Sequence, residues 1–364
     1  MSALGEQIKA AIAERGPMTV ERFMELALAD PQYGYYMTRD PFGTEGDFTT
    51  APEISQMFGE LLGLWAAEVW TSMGRPNPVR LIELGPGRGT LMSDALRAAR
   101  IVPEFRAALD VTLVETSPPL AQIQYDSLLT AGAPIAWKSS FAEAPDGPAI
   151  VIGNEFLDAL PIRQFERRGG EWRERVVALD ANGELAFGLV DKPEPYLNAE
   201  GDEGAVLEVS AVAHRFVFEL AGRIAKQGGA ALFLDYGRAV TGFGDSLQAL
   251  RAHRSVSPLT EPGDCDLTAH VDFAAMSRSA RAAGVAVHGP IDQGDFLRAL
   301  GIDLRARALA ERSPERASEF EAARRRLVGK ADNEMGALFK AMAIANRAVP
   351  VPPGFQPASV AKRA

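Results

Sequence analysis

The spacing of apolar and polar residues changes along the chain. Residues 1–30 and 54–69 repeat apolar side chains every three to four positions, which predicts helices. Gly16 and Pro17 interrupt the first of these stretches, and Thr19 stands where a helix N-cap is expected. The segment between the two stretches is rich in glycine, proline and hydroxyl residues, which predicts a loop.

From residue 79 onward, short apolar runs alternate with amphipathic stretches. Alternating strands and helices predict an α/β fold, in which a parallel sheet is covered by helices. The predicted strands of this sheet are 79–84, 110–115, 135–138, 149–153 and 230–235.

Two stretches interrupt this alternation. Residues 161–209 contain three strand-like runs joined by Gly-Gly and Asn-Gly turns, which predicts a β-rich insertion. Residues 238–268 show no clear period and are predicted to form a long loop. We therefore expect an N-terminal helical and lid segment over 1–75, an α/β domain over 76–349 with these two insertions, and a loose tail over 350–364.

Composition and charge narrow the class of protein. The 364 residues are 47% hydrophobic and 24% charged, which is typical of a globular protein. The net charge of −10 disfavours sequence-independent binding to nucleic acid, which needs clustered Lys and Arg. It is compatible with a basic protein partner, or with solubility alone. Cys265 is the single cysteine, so no intramolecular disulfide forms and a reducing compartment is favoured.

Other simple functions find little support. The four histidines are far apart in the sequence, so no metal site is expected. No apolar run approaches the ~20 residues of a membrane span. The first sixteen residues contain acids and lack the apolar centre of a signal peptide, so export is not expected.

The predicted strand 79–84 runs directly into a Gly-x-Gly-x-Gly turn, which a helical pattern follows. This is how an α/β sheet holds a nucleotide-like ligand. Gly85 permits positive φ, Gly87 lets the backbone approach the ligand, and Gly89 lets the next helix pack closely. Glu83 precedes them and would repel a pyrophosphate but attract an ammonium group. This favours S-adenosylmethionine (SAM) over NAD, the alternative being a tight turn without ligand.

Three further strand ends carry candidate ligand contacts. Glu115 can accept hydrogen bonds from ribose hydroxyls, or it can cap the helix that follows. Ser140 and Phe141 can bond the edge of adenine and stack on its face, or they can anchor a loop. Asn154 and Glu155 follow a central strand and are predicted to project into the ligand crevice.

Two more carboxylates lie in polar segments. Asp158 shares one face with Glu155 if a helical turn begins at Asn154. The alternative for this stretch is local capping, with Asn154 as the N-cap and the acids in the first turn. Asp47 lies in the polar loop 46–53, which is placed to cover the ligand as a lid.

Several motifs together resemble one family of class I SAM-dependent methyltransferases. It contains the mitochondrial complex I assembly factor that acts as a protein arginine methyltransferase, and its bacterial relatives. Two of the runs are specific to this family, GDFTTAPEISQMFGE (46–60) and GNEFLDALPIRQF (153–165). The others are YGYY (33–36), ELGPGRGTLM (83–92), VETSP (114–118), LDYG (234–237), DLTAHVDF (266–273) and ALFKAMAI (337–344).

The resemblance implies a Rossmann-like fold with SAM as cofactor. It also implies that the methyl acceptor is an arginine of a respiratory complex I subunit, dimethylated symmetrically during assembly of the complex. Eukaryotic members are mitochondrial, but this sequence lacks an Arg/Ser-rich presequence, so a bacterial cytoplasmic protein is expected. The double-glutamate loop of other arginine methyltransferases is incomplete in this sequence. Glu155 and Asp158 stand in the similar region.

Methyl transfer is an in-line displacement at a sulfonium carbon, so the protein mainly positions the reactants. A protonated guanidinium is a poor nucleophile, and paired carboxylates would hold it in plane. Glu155 is the expected orienting group, with Asp158 or Asp47 as second candidates. We expect Glu83 to bind the ammonium group of SAM, and Glu115 the ribose.

Other functions remain open. A methyltransferase acting on another protein or on a small molecule would have the same fold and cofactor. A SAM-binding assembly chaperone would hold its partner without catalysis, although the intact glycine turn favours an enzyme. A Rossmann dehydrogenase needs Gly-x-Gly-x-x-Gly, which differs from the spacing here.

Overall fold

The computed structural model describes residues 2–38 and 49–356. The helices, in chain order, are α1 (Ala3–Arg15), α2 (Val20–Ala29), α3 (Tyr35–Thr38), α4 (Ala51–Ile54), α5 (Gln56–Ser72), α6 (Thr90–Ala98), α7 (Pro103–Ala108), α8 (Pro118–Leu128), α9 (Ala211–Gln227), α10 (Phe273–Ala282), α11 (Gln293–Ala299), α12 (Ile302–Arg312), α13 (Ala317–Val328) and α14 (Met335–Leu338). The strands are β1 (Met18–Thr19), β2 (Val79–Leu84), β3 (Leu109–Val114), β4 (Ile135–Lys138), β5 (Ala149–Asn154), β6 (Arg163–Arg168), β7 (Glu171–Leu179), β8 (Leu185–Pro193), β9 (Val206–Val209), β10 (Gly229–Arg238), β11 (Gln248–Arg251), β12 (Arg254–Val256), β13 (Asp266–Thr268), β14 (Val271–Asp272), β15 (Ala286–Asp292) and β16 (Phe339–Ala345).

The chain divides into two compact units, each assembled from separate segments. The small unit comprises Met1–Phe48, Leu157–Phe216 and Val240–Asp272. The large unit comprises Thr49–Phe156, Val217–Ala239 and Phe273–Ala364. Within the described ranges, no helix has both the length and the apolar character needed to cross a bilayer.

The large unit is built on a mostly parallel sheet with the strand order β15-β16-β10-β5-β2-β3-β4. Strands β10, β5, β2, β3 and β4 pair in parallel, and β16 runs antiparallel between β15 and β10. The strand order reverses between β2 and β5, and this reversal is where α/β folds bind ligands at the carboxyl ends of their strands. The sheet confirms the predicted Rossmann-like α/β class.

Burial explains why these strands are recognisable from sequence. A parallel sheet is covered on both faces, so its central strands are continuously apolar. Every residue of β5 is buried. Small residues also set the distance between α5 and α6, since a Cβ on Gly63 would lie 2.6 Å from Cα of Ala95. Helix α6, which follows the glycine turn, is therefore packed closely against α5.

The small unit contains two antiparallel sheets. The first has the order β1-β7-β6-β9, with β8 paired to β7, and lies largely within the predicted β-rich insertion. Its core also takes in the apolar faces of α1 and α2, including Leu4, Ile8 and Phe23. Thr19 is the N-cap of α2, as predicted, because its hydroxyl accepts the backbone N–H of Arg22 at 3.1 Å.

Two local predictions are wrong. The stretch 238–268, predicted as a loop, contains the paired strands β11, β12 and β13. Each is only three or four residues long, which is too short to show a period. The chain after β5 does not begin a helix either. Strand β5 extends through Asn154, and Glu155 has a φ of +50°, so neither the shared helix face nor the capping arrangement forms there.

Candidate active site

The glycine turn joins β2 to α6 at the point where the strand order reverses. Gly85, Gly87 and Gly89 have φ values of 58°, 55° and 80°, a region that side chains other than glycine rarely adopt. A Cβ on Gly89 would lie 3.1 Å from Oγ of Ser127, so α6 and α8 approach closely there. The roles predicted for Gly85 and Gly89, positive φ and close helix packing, agree with this geometry.

Glu83 is a buried carboxylate at the end of β2. Its side chain is 3% exposed, and its Oε2 has no hydrogen-bond partner among the described residues. Burial raises the pKa of this carboxyl well above its ordinary value, and the nearby Glu115 carboxylate raises it further. A buried carboxylate oxygen without a donor is costly, so the site favours a cationic ligand that donates hydrogen bonds.

Asn154 places a second unpartnered acceptor on the same face of the sheet. Glu83 pairs with Ile152 across β2 and β5, and Asn154 lies two residues beyond Ile152. Nδ2 of Asn154 donates to Oε1 of Glu155 at 3.0 Å, whereas its buried Oδ1 lacks a donor in the described part of the chain. An ammonium group carries three N–H donors and would satisfy both acceptors. The residues present therefore fit the amino acid end of SAM.

Glu115 follows β3 in a fixed orientation. Its Oε1 accepts the backbone N–H of Ser117 at 2.8 Å, and its Oε2 accepts Nε2 of Gln124 at 2.9 Å. Burial is the main cause that raises the pKa of this carboxyl. The capping alternative does not apply, because Ser117 itself caps α8 by accepting the N–H of Leu120. A carboxylate accepts about four hydrogen bonds, which leaves capacity for a ribose.

Ser140 and Phe141 lie after β4, as predicted, and have protein partners. The hydroxyls of Ser139 and Ser140 donate to Oε1 of Glu143 at 2.6 and 2.9 Å. The guanidinium of Arg223 lies 5.0 Å from the centre of the Phe141 ring. These contacts hold the loop in place, and its contact with adenine stays a prediction.

Glu155 occupies a strained corner at the end of β5. Its Oε1 accepts the backbone N–H of Ala51 at 2.9 Å as well as the Asn154 amide. The fully buried Asp235 holds the next residue, because its Oδ2 accepts the N–H of Phe156 at 3.0 Å. Positive φ in a residue other than glycine is typical of functional sites and persists only when surrounding contacts enforce it. Glu155 and the adjacent Phe156 are therefore held by contacts from two other segments, at Ala51 and at Asp235.

Residues 49–53 also reach the glycine turn. The hydroxyl of Thr90 donates to Oε1 of Glu53, and Nη1 of Arg88 lies 4.0 Å from Oε2 of Glu53. Glu53, Asp235 and Gln124 are not among the site residues predicted from the sequence. Glu53 and Asp235 stand inside the quoted motifs, whereas Gln124 carries no motif at all.

The second-choice carboxylates have different surroundings. Asp158 is buried in the small unit, which also contains Tyr36 and Asp266. The Tyr36 hydroxyl donates to Oδ1 of Asp266 at 2.8 Å. Burial raises the pKa of Tyr36 well above its ordinary value, and the carboxylates of Asp266 and Asp158 add to this. Asp47 lies outside the described residues.

Comparisons with known proteins point to one family. Residues 61–291 match the profile of a family described as S-adenosyl-L-methionine-dependent methyltransferases. The chain is 36% identical to "Protein arginine methyltransferase NDUFAF7 homolog, mitochondrial" of Drosophila melanogaster, over 94% of this chain and 84% of that protein. It is 37% identical to "Protein arginine methyltransferase NDUFAF7, mitochondrial" of Homo sapiens, over 84% and 74%.

The structure of this chain is similar to a solved crystal structure. A COG1565 superfamily member from Burkholderia thailandensis, crystallised with S-adenosyl-homocysteine, superposes with a TM-score of 0.85 at 28% identity. The superposition covers 97% of this chain and 94% of that one.

Proposed function

The chain belongs to the S-adenosyl-L-methionine-dependent methyltransferases, and from this premise we propose that it methylates an arginine side chain of a protein. SAM is the cofactor. The observation that carries the choice of acceptor is the identity of 36–37%, over most of the chain, to proteins named as protein arginine methyltransferases. The carboxylate of Glu155, whose backbone has a φ of +50° at the end of β5, would supply the chemistry that such an acceptor needs.

Residues of the large unit would hold each part of the cofactor. Glu83 and Asn154 would accept the ammonium group, because their buried oxygens Oε2 and Oδ1 lack donors among the residues described. Glu115 would accept the ribose hydroxyls. Phe141 and the neighbouring Ser140 would contact the adenine. Bound SAM supplies an electrophilic methyl group on a positively charged sulfur.

Glu155 would orient the acceptor. A guanidinium is planar and delocalised, so attack requires one nitrogen to be held in line with the methyl group. A carboxylate that accepts N–H bonds in the guanidinium plane fixes that plane and favours electron density on the attacking nitrogen. The bonds from Ala51 and Asn154 to Oε1 hold Glu155 in place before the acceptor arrives. Asp158 and Asp47 are the second candidates for this role.

The finer identity of the acceptor rests on the family resemblance. We place the arginine in a subunit of respiratory complex I, where symmetric dimethylation would accompany assembly. The net charge of −10 is compatible with a basic protein segment as partner. A bacterial cytoplasmic location belongs to the same proposal.

Transfer of labelled methyl groups tests the proposal. Purified protein and methyl-labelled SAM are added to lysate from a strain that lacks the gene, and the protein fraction is hydrolysed to amino acids. Label in dimethylarginine supports the proposal, and Glu83→Gln should abolish it. Label in a soluble small product would instead show a small-molecule methyltransferase. Partner capture without incorporation of label would show an assembly chaperone.

A further inference from the structure

Gln124 is a fully buried polar residue on α8, with no surface exposed. Its Nε2 donates to Oε2 of Glu115 at 2.9 Å and to the carbonyl oxygen of Gly87 at 2.8 Å. Its Oε1 accepts Nε1–H of Trp137 at 3.0 Å. The amide thus joins the carboxylate after β3, the middle of the glycine turn and strand β4, and both its ends are engaged.

The chemistry of these partners fixes the orientation of the amide. An indole nitrogen is only a donor, whereas a carboxylate and a carbonyl are only acceptors. Trp137 must therefore face the amide oxygen, and the amide nitrogen must face Glu115 and Gly87. In the flipped amide, two donors would oppose each other and the oxygen would face two acceptors, which is costly in a buried site.

We propose that Gln124 is a positioning residue for cofactor binding, which orients Glu115 toward the ribose and ties that carboxylate to the glycine turn. This inference rests on the cofactor site and on the ribose role given to Glu115 under the proposed function. Gln124 and the backbone of Ser117 hold opposite oxygens of Glu115, so the carboxylate is oriented before the ligand arrives. Preorganisation of this kind strengthens binding because less freedom is lost on association.

A neutral amide suits this task better than a cation. An arginine would bind the carboxylate with two parallel hydrogen bonds and occupy both oxygens. The amide of Gln124 gives Glu115 one hydrogen bond and leaves its negative charge in place. Glu115 therefore keeps the acceptor strength that ribose hydroxyls require.

The first test measures binding of S-adenosylhomocysteine by calorimetry. Gln124→Met nearly preserves side-chain volume but removes both donors and the acceptor, and we expect affinity to fall about 10-fold. Gln122 lies on the same helix with an exposed side chain, and Gln122→Met should bind like the wild type. Wild-type affinity in Gln124→Met would overturn the inference.

The second test separates positioning from general packing. In a Glu115→Gln background, where no carboxylate remains to be oriented, Gln124→Met should weaken binding by less than about 3-fold. Wild type should also prefer S-adenosylhomocysteine to its 2′-deoxyribose analogue, and Gln124→Met should lose most of this preference. Equal losses in both backgrounds, or for both ligands, would mean that Gln124 only stabilises the fold.

Trp137→Phe provides a variant that keeps the buried glutamine. It removes only the N–H that orients the amide, so the preference for the ribose 2′-hydroxyl should fall in the same direction. An unchanged preference in this variant would also count against the inference. Failure of the wild type itself to bind S-adenosylhomocysteine would contradict the cofactor site, whereas normal wild-type binding with unaffected variants contradicts only the role of Gln124.

Discussion

The backbone N–H of Ala51 donates a 2.9 Å hydrogen bond to Oε1 of Glu155, across 104 residues of sequence. This bond connects the first residue of α4 with the residue that follows β5. It joins the two runs of sequence that are specific to the family. The carboxylate proposed to orient the acceptor is therefore also a structural anchor for residues 49–53, and variants must separate these two roles.

Glu155→Gln is the variant that separates them. It keeps the side-chain shape and an oxygen that can accept from Ala51, but removes the negative charge. We expect methyl transfer to fall at least about 100-fold. Calorimetry should show that affinity for S-adenosylhomocysteine changes less than about 3-fold. Near-normal turnover would remove Glu155 from the mechanism, and loss in Asp158→Asn or Asp47→Asn would then transfer the role.

Glu115→Gln tests the ribose contact. Loss of a charged acceptor for the ribose hydroxyls should weaken binding of S-adenosylhomocysteine by about 1–3 kcal/mol. Calorimetry gives the value directly. Glu104→Gln, an exposed change on α7, serves as the control and should leave affinity unchanged. Unchanged affinity in Glu115→Gln would show that the ribose binds elsewhere.

The raised pKa of the Glu83 carboxyl predicts that ligand binding depends on pH. Burial raises the pKa of its carboxyl, so at a pH below that raised pKa the free protein holds a proton there, which an ammonium ligand must displace. Affinity for S-adenosylhomocysteine should therefore rise with pH until the raised pKa is passed. Calorimetry in buffers of different ionisation enthalpy should detect proton release on binding. Glu83→Gln should bind weakly and without this release, and equal proton release in that variant would assign the effect to another group.

The raised pKa of the Asp94 carboxyl predicts that the free energy of unfolding depends on pH. Burial raises its pKa from 3.8 to about 6, although Arg97 acts in the opposite direction. Between about pH 4 and 6, the folded state thus binds more protons than the unfolded state. The stability that this proton binding contributes is lost as pH rises through 6. Relative to Asp94→Asn, the wild-type free energy of unfolding should fall by up to about 3 kcal/mol between about pH 4 and 7. Urea unfolding measures it, and a constant difference would contradict it.

Gly63 tests the close packing of α5 on α6, and Gly222 on α9 serves as the comparison. A Cβ on Gly63 would meet backbone atoms of Ala95 at 2.6 Å, so Gly63→Ala should destabilise the protein by about 2–3 kcal/mol through overpacking. A Cβ on Gly222, within α9, would meet no atom within 4 Å. Gly222→Ala should therefore raise stability by about 0.4–1 kcal/mol. Thermal unfolding of the two variants checks this opposition, and equal effects would argue against it.

Two strands of the parallel sheet were predictable to the residue. The predicted limits of β2 and β4 coincide with the observed ones. Each of these parallel strands is a short apolar run in the sequence, and a glycine turn marks the end of β2. In contrast, β11 to β13 gain their pairing from one another and from the core of the small unit, so their short sequences contain too little information.

The site was predictable where chemistry is local and not where it depends on distant contacts. The glycine turn and Glu83 form one continuous motif, and Gly85 has the predicted positive φ. Binding of an ammonium group by Glu83 stays a prediction. The positive φ of Glu155 accompanies contacts with distant residues, from Ala51 to Glu155 and from Asp235 to the adjacent Phe156, which no local pattern reveals. Gln124 looks like an ordinary helix residue until its partners are known.

The methylation state of complex I in cells that carry this protein tests the central claim most directly. Complex I is purified from wild-type cells, from cells lacking the gene, and from cells carrying only Glu155→Gln, and its peptides are analysed by mass spectrometry. One arginine should carry two methyl groups in wild-type cells and none in the other two. Identical methylation of every subunit in all three strains would contradict the account.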